Sequence, residues 1–600
     1  MKTLRSFWLC LTLILLFPVT YAGNGKKIYA DYHGVRYTRL HDGKLGRWSY
    51  FAKTDKSATS TRLICYNADQ VGADGRHEIA AAHYPLVGLQ SDLDDDYLEY
   101  QILTAKAAGI DGFFIEWGFR PHENDVLLKA MQRVAAKYDF EIGINWCDGW
   151  LYYDWITKIY PQISDRAAKT RYMAQCYRYL LDSVLYARTA PLVNGAPVFY
   201  HFGGGARPDE FMEVQKAVRL DGGRPEPSIL RRWAEWGQIV DGVYQPVTSG
   251  SDICAWKSLG ETPTAWIPAR VRKGDGAYPS YDYWASEEDV LRFLEPFRDS
   301  VWLAPRRPHE VKSGFVIPGM DNRGCAGWGH SVFYLIDRND GSLYDRMWQY
   351  CMQSKDSLDM MFIASWSDFT EGHEIAPTIE CGYRELETTM KYAAQFKEFV
   401  PDGKALRLPY RLFVERKNVE WLKPLIPDWQ QFADSLDQVA SMLAKGAYDA
   451  AEQTLVRCGQ AVAAVKKRVR TRTISLDEAG MTIRGASKKK AWNATDGLTL
   501  TLGVKANIDL NTSYNRGFME FEYLDVPDAA LFVRSATRKE PKHDFDTVGK
   551  IMTTGSGLWK KARITLYGEN IAYPYQKPAF YLKGGTMVRN ISLQYDLYTI

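Results

Sequence analysis

The stretch MMFIASWSDFTEGHEIAPT, Met360 to Thr378, decides how this chain is read. Met360 to Ala364 are all apolar, the composition of a strand covered on both faces, as in a parallel sheet wrapped by helices. The strand then runs into Trp366, Asp368, Phe369 and Glu371, so two carboxyls three residues apart emerge where the apolar run stops. In a parallel α/β barrel the chemistry gathers at that end of the strands. A proton donor beside an ionised carboxylate is the minimum equipment for opening an acetal, because the leaving oxygen needs a proton and the carbon needs a base or a nucleophile. The plain alternative is a helix N-cap with an acidic first turn, worth about 1 kcal/mol to the fold.

Outward from this stretch, short apolar segments alternate with amphipathic ones. The expected strands are Ile28 to Tyr32, Gly112 to Glu116, Glu141 to Trp146, Pro197 to His201, Gly242 to Gln245, Thr264 to Ile267, Lys312 to Ile317 and Met360 to Ser365. Leu98, Ile102 and Ala105 share a helical stripe that Gly109 stops, and Ser286 with Asp289 and Ser342 with Asp345 both come close to a capping box. This pattern predicts a (β/α)8 barrel over residues 23–400. A doubly wound open sheet is the alternative, but no G-x-G-x-x-G follows the first strand.

Residues 401–470 are expected to form a helical connector. It ends in a hairpin of two stripes, Phe432, Leu436, Val439 and Leu443, then Tyr448, Ala451, Leu455 and Val462, broken at Gly446. From residue 471 to 600 the period becomes two, as in Leu498, Leu500, Leu502 and Val504, which predicts a C-terminal β-sandwich. Carbohydrate binding and inert packing are both open for that unit.

Residues 1–22 run from Lys2 and Arg5 through an apolar stretch to small residues, the order of an export signal, so a periplasmic or extracellular protein is expected. Removing it lowers the formal charge of +3 by two, and a chain that close to neutral implies no nucleic-acid partner. The nine cysteines, Cys10 of the leader among them, contain no C-x-x-C pair, which excludes a zinc ribbon or a disulfide scaffold and leaves one or two bridges open. His77-Glu78 and His373-Glu374 lack the second histidine of H-E-x-x-H, so neither a catalytic metal nor a cofactor is expected. Nineteen tryptophans and 37 tyrosines push modestly toward a saccharide, whose C–H faces stack on flat rings.

Three further segments support this reading. HYPLVG (His83 to Gly88) leads to AKAAGIDGFFIEWGF (Ala105 to Phe119), VIPGMDNRG spans Val316 to Gly324, and SWSDFTEGHEIAPT spans Ser365 to Thr378. Together they resemble the clan of glycoside hydrolase families 71 and 99: its second strand with the helix before it, its Pro-Gly-x-Asp-x-Arg loop after strand seven, and its signature after strand eight. The resemblance covers about residues 26 to 398. The family 71 form, Trp-Asn-Asp-Tyr-x-Glu, matches Trp366, Asp368, Phe369 and Glu371 better than the Trp-Asn-Glu-Trp-x-Glu-Gly of family 99, and Ser367 departs from both. The resemblance implies hydrolysis of α-mannosides or α-glucosides in an oligo- or polysaccharide, with Glu371 as general acid and Asp368 as base or ring-activating carboxylate. The aspartate arm is shorter by one C–C bond, roughly 1.5 Å, which would admit the water that inversion requires.

Other rim candidates for substrate contact are Tyr32 and His33 after strand one, Glu116 and Trp117 after strand two, and Trp146 and Asp148 after strand three. To these are added His201 before Gly203, Tyr244 with Gln245, the Asp321 and Arg323 pair, and Trp366. Each has a plain structural alternative: Glu116 bridging Arg120, Asp321 pairing Arg323, or a lone histidine satisfied within the scaffold. Two rivals stand beside hydrolysis. One is a carbohydrate-binding barrel that cleaves nothing. The other is a lyase on an acidic polysaccharide, for which Arg306, Arg307 and Arg323 would have to converge.

Overall fold

The structure, a computed structural model, describes residues 25–51, 65–72, 74, 76–218, 224–232, 238–240, 243–245, 255–268, 270–328, 332–423, 428–475, 481–483, 491–502, 516–536, 545–567 and 578–598; the expected leader at 1–22 lies outside them. Eight strands, β1 (Lys27–Tyr32), β2 (Gly112–Trp117), β3 (Glu141–Trp146), β4 (Ala196–His201), β5 (Ser228–Arg232), β6 (Glu261–Thr264), β7 (Ser313–Val316) and β8 (Met360–Ile363), make one parallel sheet. Its order is β6-β5-β4-β3-β2-β1-β8-β7, and β6 and β7 meet without a hydrogen-bonded ladder among the described residues. This is the (β/α)8 barrel that the apolar runs predict.

Helices α1 (Asp95–Ala107), α2 (Glu123–Ala135), α3 (Arg166–Leu180), α4 (Pro208–Ala217), α5 (Glu287–Phe297), α6 (Ser342–Met352) and α7 (Arg384–Lys397) lie between and after the strands. α5 starts on the expected capping box, Ser286 with Asp289. α6 does not. Gly341 is its N-cap, the Ser342 hydroxyl donates to Glu287, and Asp345 is taken by Gln349, Lys391 and Tyr392.

The fifth and sixth strands differ from expectation. Val243–Gln245 pairs antiparallel with Gln238–Val240 in a separate hairpin, and the barrel uses Ser228–Arg232 in its place, followed by Glu261–Thr264 in place of Thr264 to Ile267. The reason is chemical. Arg231 and Glu261 are buried beside each other on β5 and β6, Nε 3.8 Å from Oε2, with His201 against both, so charge occupies positions where an apolar pattern is sought.

The barrel interior is aromatic. The Phe362 ring stacks on Tyr200 at 4.7 Å and 13° and leans on Phe114 at 5.6 Å, while Tyr29 stacks on Phe114 at 4.9 Å. α8 (Leu408–Leu422), α9 (Trp429–Ala444) and α10 (Tyr448–Lys466) form the connector, and Leu412, Leu436, Val439 and Leu455 are continuous with the barrel core. Arg416 clamps the buried Glu99 of α1 at 2.6 and 3.0 Å, which docks α8 on the barrel.

The C-terminal unit is a sandwich of two antiparallel sheets. β9 (Val469–Ser475), β17 (Met587–Tyr598), β12 (Arg516–Leu524) and β15 (Trp559–Tyr567) follow one another in the first. β10 (Met481–Ile483), β11 (Leu498–Leu502), β16 (Pro578–Gly584), β13 (Ala530–Ala536) and β14 (Phe545–Met552) follow in the second. Their inward residues, Met519, Phe521, Leu531, Val533, Ile564 and Leu582 among them, make a core of their own. β14 meets the barrel through the Lys550 N–H, which donates to Asp69 at 2.9 Å. Cys147, Cys176, Cys325, Cys351, Cys381 and Cys458 are free thiols, and no described helix is long and apolar enough to cross a membrane.

Phe362→Ala removes a ring that three barrel strands share and should cost about 3–5 kcal/mol. Denaturant unfolding followed by tryptophan fluorescence checks this; a loss below about 1 kcal/mol would mean that the ring layer does not hold the barrel together.

Candidate active site

The site forms where β8, β1 and β2 end. After Ile363 the chain turns through Ser365 to Gly372, and Asp368 is drawn inward: its Oδ1 accepts the backbone N–H groups of Thr370 at 3.1 Å and Glu371 at 3.0 Å. Gly372 makes the turn workable. Its φ is +68°, and a β-carbon there would stand 2.4 Å from the Asp321 carbonyl oxygen. Farther on, Glu374 is buried between His83 at 2.8 Å and Arg338 at 2.9 Å, which anchors the loop from both sides.

Around Asp368 the strand ends contribute alternating charges. His33 places Nδ1 at 3.0 Å from Asp368 Oδ2 and 3.5 Å from Glu116 Oε2, and its Nε2 at 2.6 Å from Asp31 Oδ2. Asn145 of β3 donates to the other Asp31 oxygen at 2.9 Å. Arg47 holds Glu116 at 2.9 Å, and Arg36 holds the His33 carbonyl and reaches toward Asp368 Oδ1 at 3.9 Å. His373 Nε2 lies 3.4 Å from Asp368 Oδ2 and 3.4 Å from Glu371 Oε2.

Burial alone would strip the proton from both imidazoles, but the surrounding carboxylates outweigh it. Glu116, Asp368 and Asp31 hold His33 up at about 10, and Asp368 with Glu371 holds His373 at about 9. Burial alone would likewise raise the two acids, yet His33, His373 and Arg36 keep Asp368 well below the ordinary carboxylate range, and His33 and Arg47 lower Glu116. The result is a network of cations and anions rather than a pair of free acids.

Exposure separates the members. The Glu371 side chain is 29% exposed and Glu116 is 12% exposed, whereas Asp368 is only 2% exposed. Asp368 Oδ2 and both His373 ring nitrogens are buried without a hydrogen-bond partner of good geometry, and Nε2 lies 3.4 Å from Oδ2. Asp368, Glu371 and His373 each offer a donor atom within 4.8 Å of the other two, the one set of three such groups among the described residues. A cation there would first have to displace the proton that the two acids hold on His373.

Of the expected site residues, the structure brings His33, Glu116, Asp368 and Glu371 together. Asp321 pairs with Arg323 at 2.6 Å and accepts from Tyr281 at 2.8 Å, on the neighbouring rim. Asp148 and His201 gather elsewhere. His201 is wholly buried between Glu261 at 3.0 Å and Asp148 at 3.7 Å, with Arg231 at 3.1 Å, and Asp148 accepts the N–H groups of Gly205 and Ala206. Five expected contacts lie apart from the site. Trp117, Trp146, Trp366 and Tyr32 are buried within the packed core and have no ring face to offer a sugar; Trp366 donates to Gln101 and Tyr32 to Asp92 instead. Tyr244 sits in the hairpin, not at a barrel strand end. The lyase arginines do not converge either: Arg306 is spent on Asp359 before β8, Arg307 on Glu310, and Arg323 stands at the opposite end of the barrel.

Sequence reasoning missed Asp31, Arg36, Arg47 and His373. Asp31 had a signal, a charge inside an apolar strand; His373 had one in its place two residues after Glu371.

Both histidines gain protons on folding, since each starts from an ordinary value of 6.5. Their contribution to stability is therefore complete below about 6.5 and is lost as pH rises through 9 to 10. The thermal midpoint should fall across that window, and His373→Gln should flatten the fall. A midpoint level from neutral pH to 10 would mean that the imidazoles are not held protonated.

No family model matches the chain, and no curated protein matches it. Among solved structures it is similar, over 62% of its length, to a family 99 endo-α-mannosidase from Bacteroides thetaiotaomicron. The complex with bis-tris-propane shows 12% identity over 98% of that chain with a TM-score of 0.41, and a second structure 13% over 97% with a TM-score of 0.42. A glycoside hydrolase-like protein shows 13% identity over 94% of its chain with a TM-score of 0.39, also covering 62% of this one.

Proposed function

We propose that this chain is an exported glycoside hydrolase that cleaves α-glycosidic bonds, with α-mannosides or α-glucosides in an oligo- or polysaccharide as its substrates. The observation that carries the reading is the approach of Asp368, Glu371 and His373 to within 4.8 Å at the barrel mouth. Glu371 reaches solvent and, in its protonated form, donates the proton to the leaving oxygen. Asp368, kept anionic by two imidazolium groups, takes the proton from the group that attacks the anomeric carbon, a water or the sugar's own 2-hydroxyl, as the bond to the leaving oxygen breaks, and its charge stabilises the positive centre that develops there.

The spacing bears on stereochemistry. An inverting pair stands roughly 6.5–9.5 Å apart to make room for water, and a retaining pair about 5–5.5 Å. One oxygen of each acid within 4.8 Å of the other is nearer the retaining spacing, and that supports retention. Export to the periplasm or beyond belongs to the same proposal, on the basic, apolar, small order of residues 1–22.

One observation favours the rival, a carbohydrate-binding barrel without turnover: Asp368 is 2% exposed and ringed by His33, His373 and Arg36. Digestion of α-mannan and α-glucan oligosaccharides, with the product anomer followed by NMR, separates the two. Glu371→Gln should lower turnover by about 10²–10⁴-fold while glycan binding persists. Binding without product from the wild type across the panel would establish the rival, and a product of inverted configuration would refute the retaining assignment.

A further inference from the structure

The outer face of the second sandwich sheet carries a feature that the barrel chemistry does not use. Because side chains alternate along a strand, β13 sends Leu531 and Val533 inward and Phe532 and Arg534 outward, while β16 sends Phe580 and Leu582 inward and Tyr581 and Lys583 outward. The antiparallel register sets Phe532 opposite Lys583 and Arg534 opposite Tyr581, so two rings lie on a diagonal between two cations. These four residues, with Thr495, Gly584 and Gly585, line a depression of about 520 Å³. Gly497 keeps the Tyr581 ring in place: its φ is +83°, and a β-carbon there would stand 2.2 Å from the phenol oxygen.

The two charged residues that line the depression, Arg534 and Lys583, are both cations. Lys550 of β14 brings its ammonium to 5.4 Å from the Phe532 ring, and the Arg534 guanidinium lies 5.9 Å from it. No carboxylate lines the depression, and neither Arg534 nor Lys583 forms an ion pair among the described residues. Two half-exposed rings between uncompensated cations suit a ligand with flat C–H faces and regularly placed anionic groups. The backbone N–H of Lys550 is also the group that binds Asp69, beside Tyr66, whose hydroxyl donates to the Arg323 carbonyl after β7. The depression is therefore tied through one strand to the loops of the barrel mouth.

We infer that Phe532, Tyr581, Arg534 and Lys583 form a second saccharide site, built for a glycan that carries carboxylate or sulfate groups. The choice of a saccharide rests on the glycosidase reading of the barrel, whereas the anionic preference rests on this face alone. Stacking positions the rings of the chain, and the cations distinguish acidic from neutral units.

Affinity electrophoresis of the full chain through gels containing polygalacturonate, chondroitin sulfate, mannan or dextran tests the inference without recourse to hydrolysis. The acidic polymers should retard the protein and the neutral ones should not, with retardation weakening as salt is raised. Phe532→Ala or Tyr581→Ala should lower the affinity about tenfold with an unchanged melting profile, and Arg534→Gln with Lys583→Gln should abolish the preference. Glu371→Gln should bind like the wild type, which keeps this result independent of whether the barrel cleaves anything. Equal retardation by neutral polymers, retardation that survives the ring variants, or equal binding of a single-stranded oligonucleotide through the same residues would overturn it.

Discussion

An imidazole between two carboxylates in a poorly solvated place is the contact on which the rest of the candidate site depends. Removed from water, either Asp368 or Glu116 alone would be driven to neutrality, and so would His33. Together they hold one another charged: His33 reaches both acids, and Asp31 as well, from the end of β1, and His373 closes the set from the loop after β8. The Coulombic attraction is strong for the same reason that isolation would be costly, the low polarity of the surroundings. Asp368 is thereby an anion fixed in direction by its neighbours.

This arrangement divides labour by exposure. The deep members set the field, and the outer members, Glu371 with Glu116 and Arg47, face the opening. A second buried network, Asp148, His201, Glu261 and Arg231, ties the ends of β3, β4 and β5 to the start of β6. It braces the half of the barrel where β6 and β7 lack a ladder, and Asp148 also fixes the glycine loop after β4 by accepting its N–H groups. The tryptophans that might have been sugar platforms serve instead as the packed layer beneath these networks. A large ring excludes water from the ion pairs above it and so keeps their interaction strong.

Much of the architecture was legible because it is periodic. Apolar runs marked β1 to β4, β7 and β8, the stripes at Leu436 and Leu455 marked the hairpin of the connector, and alternation at Leu498 to Leu502 marked the sandwich. β5 and β6 were not legible, since Arg231 and Glu261 put charge at buried strand positions, where His201 shares in holding both. The capping box at Ser342 failed for a related reason: Glu287, more than fifty residues away, competes for the hydroxyl.

The sequence by itself determined the kinds of layer present and the position of the acids, because strand period, turn chemistry and the point where an apolar run meets a carboxylate are properties of neighbouring residues. It also determined that Asp368 and Glu371 leave the same strand. Only the tertiary structure decided what those acids are. Whether a carboxylate is open or buried, anionic or neutral, depends on which side chains other strands bring within a few ångströms, and His33 comes from more than three hundred residues away. The same holds for the sandwich face, where Phe532 and Lys583 become neighbours through register alone. Local pattern specifies elements, but charge state and adjacency are set by contacts distant in sequence, because electrostatic energy depends on separation in space and on solvent access.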